Sequence, residues 1–161
     1  GLYSNGYLTV DGGTLTATGA NSYVSHGINM PSNSAGITVE NDGVINTSCG
    51  EAGYAALIVT GSGIKVESGG QITSEGGKYG VRAAGNGNMV VDKGTITGSA
   101  SEYGVICAGG NVSVSSGTIA GTSTKDSVEK FAGVWAKGDI AVTGARVVGD
   151  AYAYSHGAAD H

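Results

Sequence analysis

Residues 89–98 read MVVDKGTITG, a short aliphatic segment followed after one turn by a glycine-bounded TIT segment. Copies of the aliphatic segment begin 29, 27, 25, 23 and 28 residues apart along the 161-residue chain. The six copies are Leu8-Thr9-Val10, Ile37-Thr38-Val39, Ile64-Lys65-Val66, Met89-Val90-Val91, Val112-Ser113-Val114 and Ile140-Ala141-Val142. A period of this length predicts a repeat protein in which each unit stacks on the next.

Two further segments return with the same period. The second is centred on Leu15, Ile45, Ile72, Ile96, Ile119 and Val147. The third begins with an aromatic or small residue, and its copies are His26-Gly27-Ile28, Tyr54-Ala55-Ala56, Tyr79-Gly80-Val81, Tyr103-Gly104-Val105, Ala132-Gly133-Val134 and His156-Gly157-Ala158. Each repeat therefore supplies three short segments.

The segments have the pattern of strands. Apolar and polar residues alternate over three to five positions between glycine-rich corners, and no stretch has helical spacing. Strands this short become stable when equivalent strands of successive repeats pair in parallel, about 4.8 Å apart. The repeat is too long and irregular for left-handed hexapeptide helices, and the GGxGxD nonapeptide of calcium-binding β-rolls is absent. We therefore predict an all-β, right-handed parallel β-helix (β-solenoid) of about six rungs with three short strands each.

Several copies resemble the repeats of large bacterial cell-surface and adhesin-like proteins. They are GGTLTATG from Gly12, GTITG from Gly94 and the YGV copies at Tyr79 and Tyr103. The resemblance covers almost the whole chain and implies a secreted or cell-surface module with a structural or adhesive role, whose partner is a glycan or a host or cell-surface protein. The same fold also carries polysaccharide lyases, phage tailspikes and autotransporter passengers.

Composition narrows the function classes. The chain has 31 Gly, one Pro, 13% charged residues and a net charge of −5, which describes a turn-rich β protein and not a nucleic-acid-binding one. No apolar stretch is long enough to cross a bilayer, so we expect no membrane insertion. We expect residues 1–161 to form one β-helix domain that is a segment of a longer protein. Its last rung starts at Tyr154 without a polar cap, so end-to-end self-association is expected as well.

Candidate ligand-binding residues lie in the third segment. The residue after the inward aliphatic side chain forms an outward column of Asn29, Leu57, Arg82, Ile106 and Trp135. A covering loop or neighbouring domain would explain exposed apolar residues there, and a register error of one residue would bury them. The functional interpretation is a glycan-binding strip, in which Trp135 packs on a sugar, Arg82 donates hydrogen bonds, and Ile106 and Leu57 add apolar surface.

A second candidate site is a column of carboxylates after the aliphatic segment. Its members are Asp11, Glu40, Glu67 and Asp92. An exposed polar ladder is one interpretation, since repulsion at a solvated corner is screened. A calcium site is the other, because Ca²⁺ takes several carboxylate and carbonyl oxygens. Calcium is thus the one cofactor that the sequence suggests.

Catalysis is the alternative to a binding role. A calcium-dependent lyase would need a Lys or Arg base near the carboxylates, but Arg82 and Arg146 belong to other columns. A hydrolase would need two carboxylates across a cleft, and no GxSxG or HExxH motif is present. The sequence therefore favours a non-catalytic module, with a polysaccharide lyase or hydrolase-like enzyme as the alternative.

The remaining features have structural interpretations. His26 and His156 share the column of Tyr54, Tyr79 and Tyr103, which predicts a packed aromatic stack at a corner. Cys49 and Cys107 are expected to be buried free thiols that do not meet. The insertion at residues 122–130 carries four charged residues, and with Glu51, Glu75 and Glu102 in the equivalent corners it predicts an acidic edge.

Overall fold

The computed structural model describes residues 1–124 and 132–149, and the backbone of residues 153–155. Fifteen β-strands and no helix occur in this part of the chain. The strands pair in parallel and stack as coils, which gives a β-solenoid of about five turns. The predicted all-β parallel β-helix is confirmed. The third segment of the sixth copy, residues 156–158, lies outside the described residues, and so do residues 125–130, which form most of the predicted insertion.

The first stack of strands contains the aliphatic segments. Its strands are β2 (Tyr7–Asp11), the second half of β4 (His26–Glu40), the second half of β6 (Ala55–Glu67), the first half of β9 (Asn88–Ala100), the first half of β11 (Val112–Ser123) and β13 (Ile140–Val142). Val10, Val39, Val66, Val91 and Val114 stand in register, and all five are buried. The repeat spacing thus becomes one continuous aliphatic ladder.

The second stack contains the glycine-bounded segments. Its strands are β3 (Thr14–Thr18), β5 (Val44–Ser48), β7 (Gln71–Glu75), the second halves of β9 and β11, and β14 (Arg146–Gly149). Ile45, Ile72, Ile96 and Ile119 are in register and completely or almost completely buried. Each isoleucine contributes roughly 1.5–3 kcal/mol by this burial.

The third stack contains the segments that begin with an aromatic or small residue. Its strands are β1 (Leu2–Tyr3), the first halves of β4 and β6, β8 (Tyr79–Ala83), β10 (Tyr103–Cys107), β12 (Val134–Ala136) and β15 (Ala153–Ser155). Ile28, Leu57, Val81, Val105 and Val134 form its inward ladder, and none of them is exposed. Three of the four candidate ligand-binding residues, Arg82, Ile106 and Trp135, share one outward column of this stack.

The register of one strand corrects the sequence prediction. Leu57 pairs with Ile28 and Val81, which places it in the core and not in the outward column. Its neighbour Ile58 takes the outward place between Asn29 and Arg82. Counting from the tyrosine caused the error, because Tyr54 precedes its inward residue by three positions and Tyr79 precedes its own by two. A slip of one residue exchanges the two faces of a strand.

No helix in the described ranges is long and apolar enough to span a membrane.

Candidate ligand-binding face

Within the described residues, five aromatic rings follow one another along the outer side of the third stack. The ring centroids of His26 and Tyr54 are 5.6 Å apart, those of Tyr54 and Tyr79 are 5.2 Å apart, and those of Tyr79 and Tyr103 are 5.9 Å apart. The ring of Trp135 continues the series at 6.3 Å from that of Tyr103. Parallel strands about 4.8 Å apart bring equivalent rings into contact. The predicted aromatic stack is confirmed for His26 and the three tyrosines, whereas His156 lies outside the described residues.

Two members join this series from outside the expected register. The backbone of Ala55, and not that of Tyr54, pairs with His26 and Tyr79, yet the ring of Tyr54 still fills the space between theirs. At the other end Ala132 carries no ring, and Trp135 contacts Tyr103 from the neighbouring column instead. A long aromatic side chain can therefore contact the ring on the next strand even where its own backbone position is out of register. We call the five rings, together with Ile58, Arg82 and Ile106, the aromatic face.

Arg82 lies against the middle of the ring series. Its guanidinium carbon is 4.6 Å from the ring centroid of Tyr79 and 5.4 Å from that of Tyr54. One terminal nitrogen, Nη1, donates a hydrogen bond to the hydroxyl oxygen of Tyr54. The Nε–H group is buried and has no acceptor among the residues that the structure describes. The positive charge is therefore stabilised by ring faces, as in a cation–π contact.

Burial shifts two titratable rings of the face toward their neutral forms. Burial raises the pKa of Tyr79, and the nearby positive charge of Arg82 opposes this. Burial lowers the pKa of His26, and a hydrogen bond with the backbone of Val24 opposes that shift. Both rings are therefore uncharged near neutral pH. Arg82 carries the positive charge in the middle of the series.

The other predicted members of the strip have different degrees of exposure. Ile58, Arg82, Ile106 and Trp135 are successive members of one column. Ile106 is only 7% exposed, so it can offer little surface to a ligand, whereas Arg82 and Trp135 are partly exposed. Leu57 is fully buried and is not part of the face. Sequence reasoning missed Ile58, although counting back from the inward residue Val59 would have found it.

The carboxylate column is a surface ladder at the corner between the first and second stacks. Asp11 pairs in register with Glu40, and Glu67 with Asp92. Asn41 Nδ2 donates to Asp11 Oδ1 at 2.9 Å. In the described part of the chain, no three His, Cys, Asp or Glu residues are grouped so that they could hold a metal ion. The arrangement fits an exposed ladder whose repulsion is screened by water.

Lys65 forms an ion pair with a carboxylate of this ladder. Lys65 Nζ is 2.9 Å from Glu67 Oε2. The hydrogen bond with Glu67, together with its negative charge, raises the pKa of Lys65. A general base needs a pKa lowered toward the working pH, so this shift is opposite to the one that a lyase would require.

A groove of about 590 Å³ follows the corners between the second and third stacks. Its lining includes Glu51, Glu75 and Glu102, which confirms that these three residues share one edge, together with Tyr23 and Lys78. Lys78 Nζ is 3.8 Å from Glu102 Oε1 and 5.5 Å from the ring centroid of Tyr23. The described part of the groove lining holds three carboxylates and one ammonium, so it is acidic.

Both cysteines are buried free thiols, as predicted. Cys107 stands in register with Ala83 and Ala136, and burial raises the pKa of both Cys49 and Cys107. A raised pKa keeps a thiol protonated and poorly nucleophilic, so neither cysteine has the character of a catalytic residue. Among the described residues, the aromatic face is thus the best-formed candidate for ligand binding. Comparison with models of known protein families, with characterised proteins and with solved structures finds no match to this chain.

Proposed function

We propose that this chain is a non-catalytic structural and adhesive module of a cell-surface or secreted protein, and that its aromatic face binds a glycan. The observation that carries the proposal is the unbroken series of five rings with Arg82 against its centre. The resemblance of the repeats to those of bacterial adhesin-like proteins supports the surface location.

The chemistry of the face suits a sugar polymer. A pyranose ring has an apolar C–H face that packs on an aromatic ring, and hydroxyl groups that accept hydrogen bonds from a guanidinium. Successive rungs are about 4.8 Å apart, so a polymer lying along the solenoid axis meets a ring at each rung. The strands hold these rings before any ligand arrives, which reduces the ordering cost of binding.

A lyase is less well supported. Its carboxylates would be Asp11, Glu40, Glu67 and Asp92 with calcium, and its base would be Lys65, which forms an ion pair with Glu67. The raised pKa of Lys65 keeps that amine protonated. Calcium is therefore retained in the experiment as a variable.

Trp135, the single tryptophan of the chain, reports on the face directly. We expect a saturable change of its fluorescence with one class in a panel of plant, mucin and bacterial polysaccharides, measured with calcium and again with a chelator. Tyr79→Ala should weaken binding at least tenfold, whereas Tyr7→Ala, which changes a tyrosine that is 62% exposed on the first stack, should not. A folded protein that responds to no glycan, by fluorescence or by calorimetry, would disprove the proposal.

A further inference from the structure

The environment of Arg82 indicates the charge of the ligand. The ion pairs formed within the described residues join Lys65 to Glu67 and Lys78 to Glu102, so Arg82 has no carboxylate partner there. Within the described part of the chain its only hydrogen-bond acceptor is the hydroxyl of Tyr54, and its Nε–H group has none. A partly buried cation without a counter-charge is unfavourable unless it is compensated. Ring faces compensate it only in part.

The neighbours of Arg82 strengthen any interaction with an anion. Ile58 and Ile106 flank it in the same column, and their side chains cannot accept a hydrogen bond. Apolar neighbours lower the local dielectric constant, so a charge pair is stronger here than at a fully solvated site. The planar guanidinium also matches the two oxygens of a carboxylate, which an ammonium does not.

The spacing along the solenoid sets a minimum length for the ligand. Arg82, Ile106 and Trp135 are successive members of their column, so Arg82 and Trp135 are two strand spacings apart, about 10 Å. Ala84 and Ala108 come directly after the strands that hold Arg82 and Ile106, and they are small and partly exposed. They leave room for a chain to lie close to the surface. A single sugar cannot reach both residues.

We infer that the aromatic face binds an acidic oligosaccharide, in which a carboxylate of one sugar pairs with Arg82 and a following sugar packs on Trp135. This inference rests on the proposed function and narrows it to glycans that contain uronic or similar acidic sugars. It also assigns different roles to the two residues: Arg82 selects for charge, and Trp135 provides contact area.

Alginate and its propylene glycol ester are matched probes, since esterification removes the carboxylate charge and keeps the sugar chain. With the intact chain and a calcium chelator present, we expect alginate to bind and the ester to bind at least tenfold more weakly. Arg82→Gln should remove this preference, and Arg82→Lys should restore it only in part, because lysine lacks the planar fork. Arg146→Gln, which changes an exposed arginine on the second stack, is the control and should have no effect. Thermal unfolding of each variant checks that the fold is kept.

The outcomes separate this inference from the proposed function. Equal binding of alginate and its ester, unaffected by Arg82→Gln, would overturn the acidic ligand and leave glycan binding intact. Equal losses in Arg82→Gln and Arg146→Gln would show a non-specific charge effect and would also overturn it. Binding of dextran sulfate without alginate would overturn the carboxylate assignment. If no polysaccharide binds at all, the proposed function itself fails.

Discussion

Leu57 and Ile58 are adjacent residues with opposite environments, and they provide a direct test of the strand register. Leu57 is fully buried between Ile28 and Val81, whereas Ile58 is partly exposed on the aromatic face. We expect Leu57→Ala to lower the free energy of unfolding by about 2–5 kcal/mol, because it leaves a cavity in the core. Ile58→Ala should cost less than half as much. Urea denaturation followed by circular dichroism measures both, and a larger loss for Ile58→Ala would contradict the register.

His26 makes stability depend on pH in a direction that its burial fixes. Burial lowers its pKa in the folded state, so the unfolded chain binds the proton more readily. The stability associated with neutral His26 is therefore present above its ordinary pKa of about 6.5 and is lost as the pH falls through the lowered value. We expect His26→Phe, which keeps a ring beside Tyr54, to reduce the fall in melting temperature between pH 7.5 and 5.5. If His26→Phe leaves this fall in melting temperature unchanged, His26 does not contribute to the pH dependence of stability.

At the scale of elements, side chains connect successive rungs at the corner between the third and first stacks. Asn88 Oδ1 accepts a hydrogen bond from the backbone N–H of Asn111 at 2.8 Å, and Asn111 Oδ1 accepts one from that of Asp139 at 3.0 Å. We expect Asn111→Ala to cost about 0.5–1.5 kcal/mol, the net value of one such bond. Asn86→Ala is the control, because its side chain makes no hydrogen bond within the described residues and should change stability little. Equal falls in melting temperature for Asn111→Ala and Asn86→Ala would contradict a stabilising role for the asparagine hydrogen bonds between rungs.

The corner between the second and third stacks shows why some rungs require glycine. In two rungs a hydroxyl bridges the corner: Thr47 Oγ1 donates to the carbonyl of Ala56 at 2.9 Å, and Ser74 Oγ to that of Gly80 at 2.6 Å. Gly98 and Gly121 occupy the same column in later rungs. There the carbonyl oxygen of the facing residue lies where a side chain would begin. From the second rung onward the same corner therefore closes either around a hydroxyl or around no side chain, whereas Ala17 occupies this column in the first rung.

The space available for a Cβ atom predicts different effects for two glycine substitutions. A methyl group at Gly121 would collide with the carbonyl oxygen of Gly133, whereas one at Gly13 would meet nothing within 4 Å. We expect Gly121→Ala to destabilise by about 1–3 kcal/mol, as overpacking does. Gly13→Ala should be neutral or slightly stabilising, since it restricts only the unfolded chain. Chemical denaturation of both variants tests this, and equal stability would mean that the corner opens easily.

At the scale of the whole molecule, the sequence predicted the backbone better than the side chains. The repeat spacing identified all three stacks, because each inward position must be apolar in every rung. The error at Leu57 arose where one copy has an extra residue between its tyrosine and its inward aliphatic residue. The contact between Trp135 and Tyr103 was missed for another reason. Periodicity gives the column of a residue, but it does not give the reach of a long side chain into the next column.

A stack of rungs should lose stability locally, because each rung contacts only its neighbours. Val10 and Val66 are equivalent residues of the first stack that differ in position along the axis. Val66 lies between Val39 and Val91, whereas strand β2, which holds Val10, pairs with β4 alone among the described strands. The same substitution can therefore be compared at two places in one ladder.

We expect Val10→Ala to speed amide hydrogen exchange mainly in residues 7–18 and 37–48, because the cavity removes contacts from the first rung and from the rung of Val39, with which β2 pairs. Val66→Ala should speed exchange in residues 37–48, 64–75 and 89–98, because the cavity removes contacts from the rungs on both sides. Mass spectrometry of peptic fragments resolves these ranges. Uniform acceleration along the chain in both variants would instead mean that the rungs unfold as one cooperative unit. Acceleration confined to these ranges would mean that the other rungs stay folded when the first rung opens. A rigid binding surface that extends over several rungs requires this behaviour.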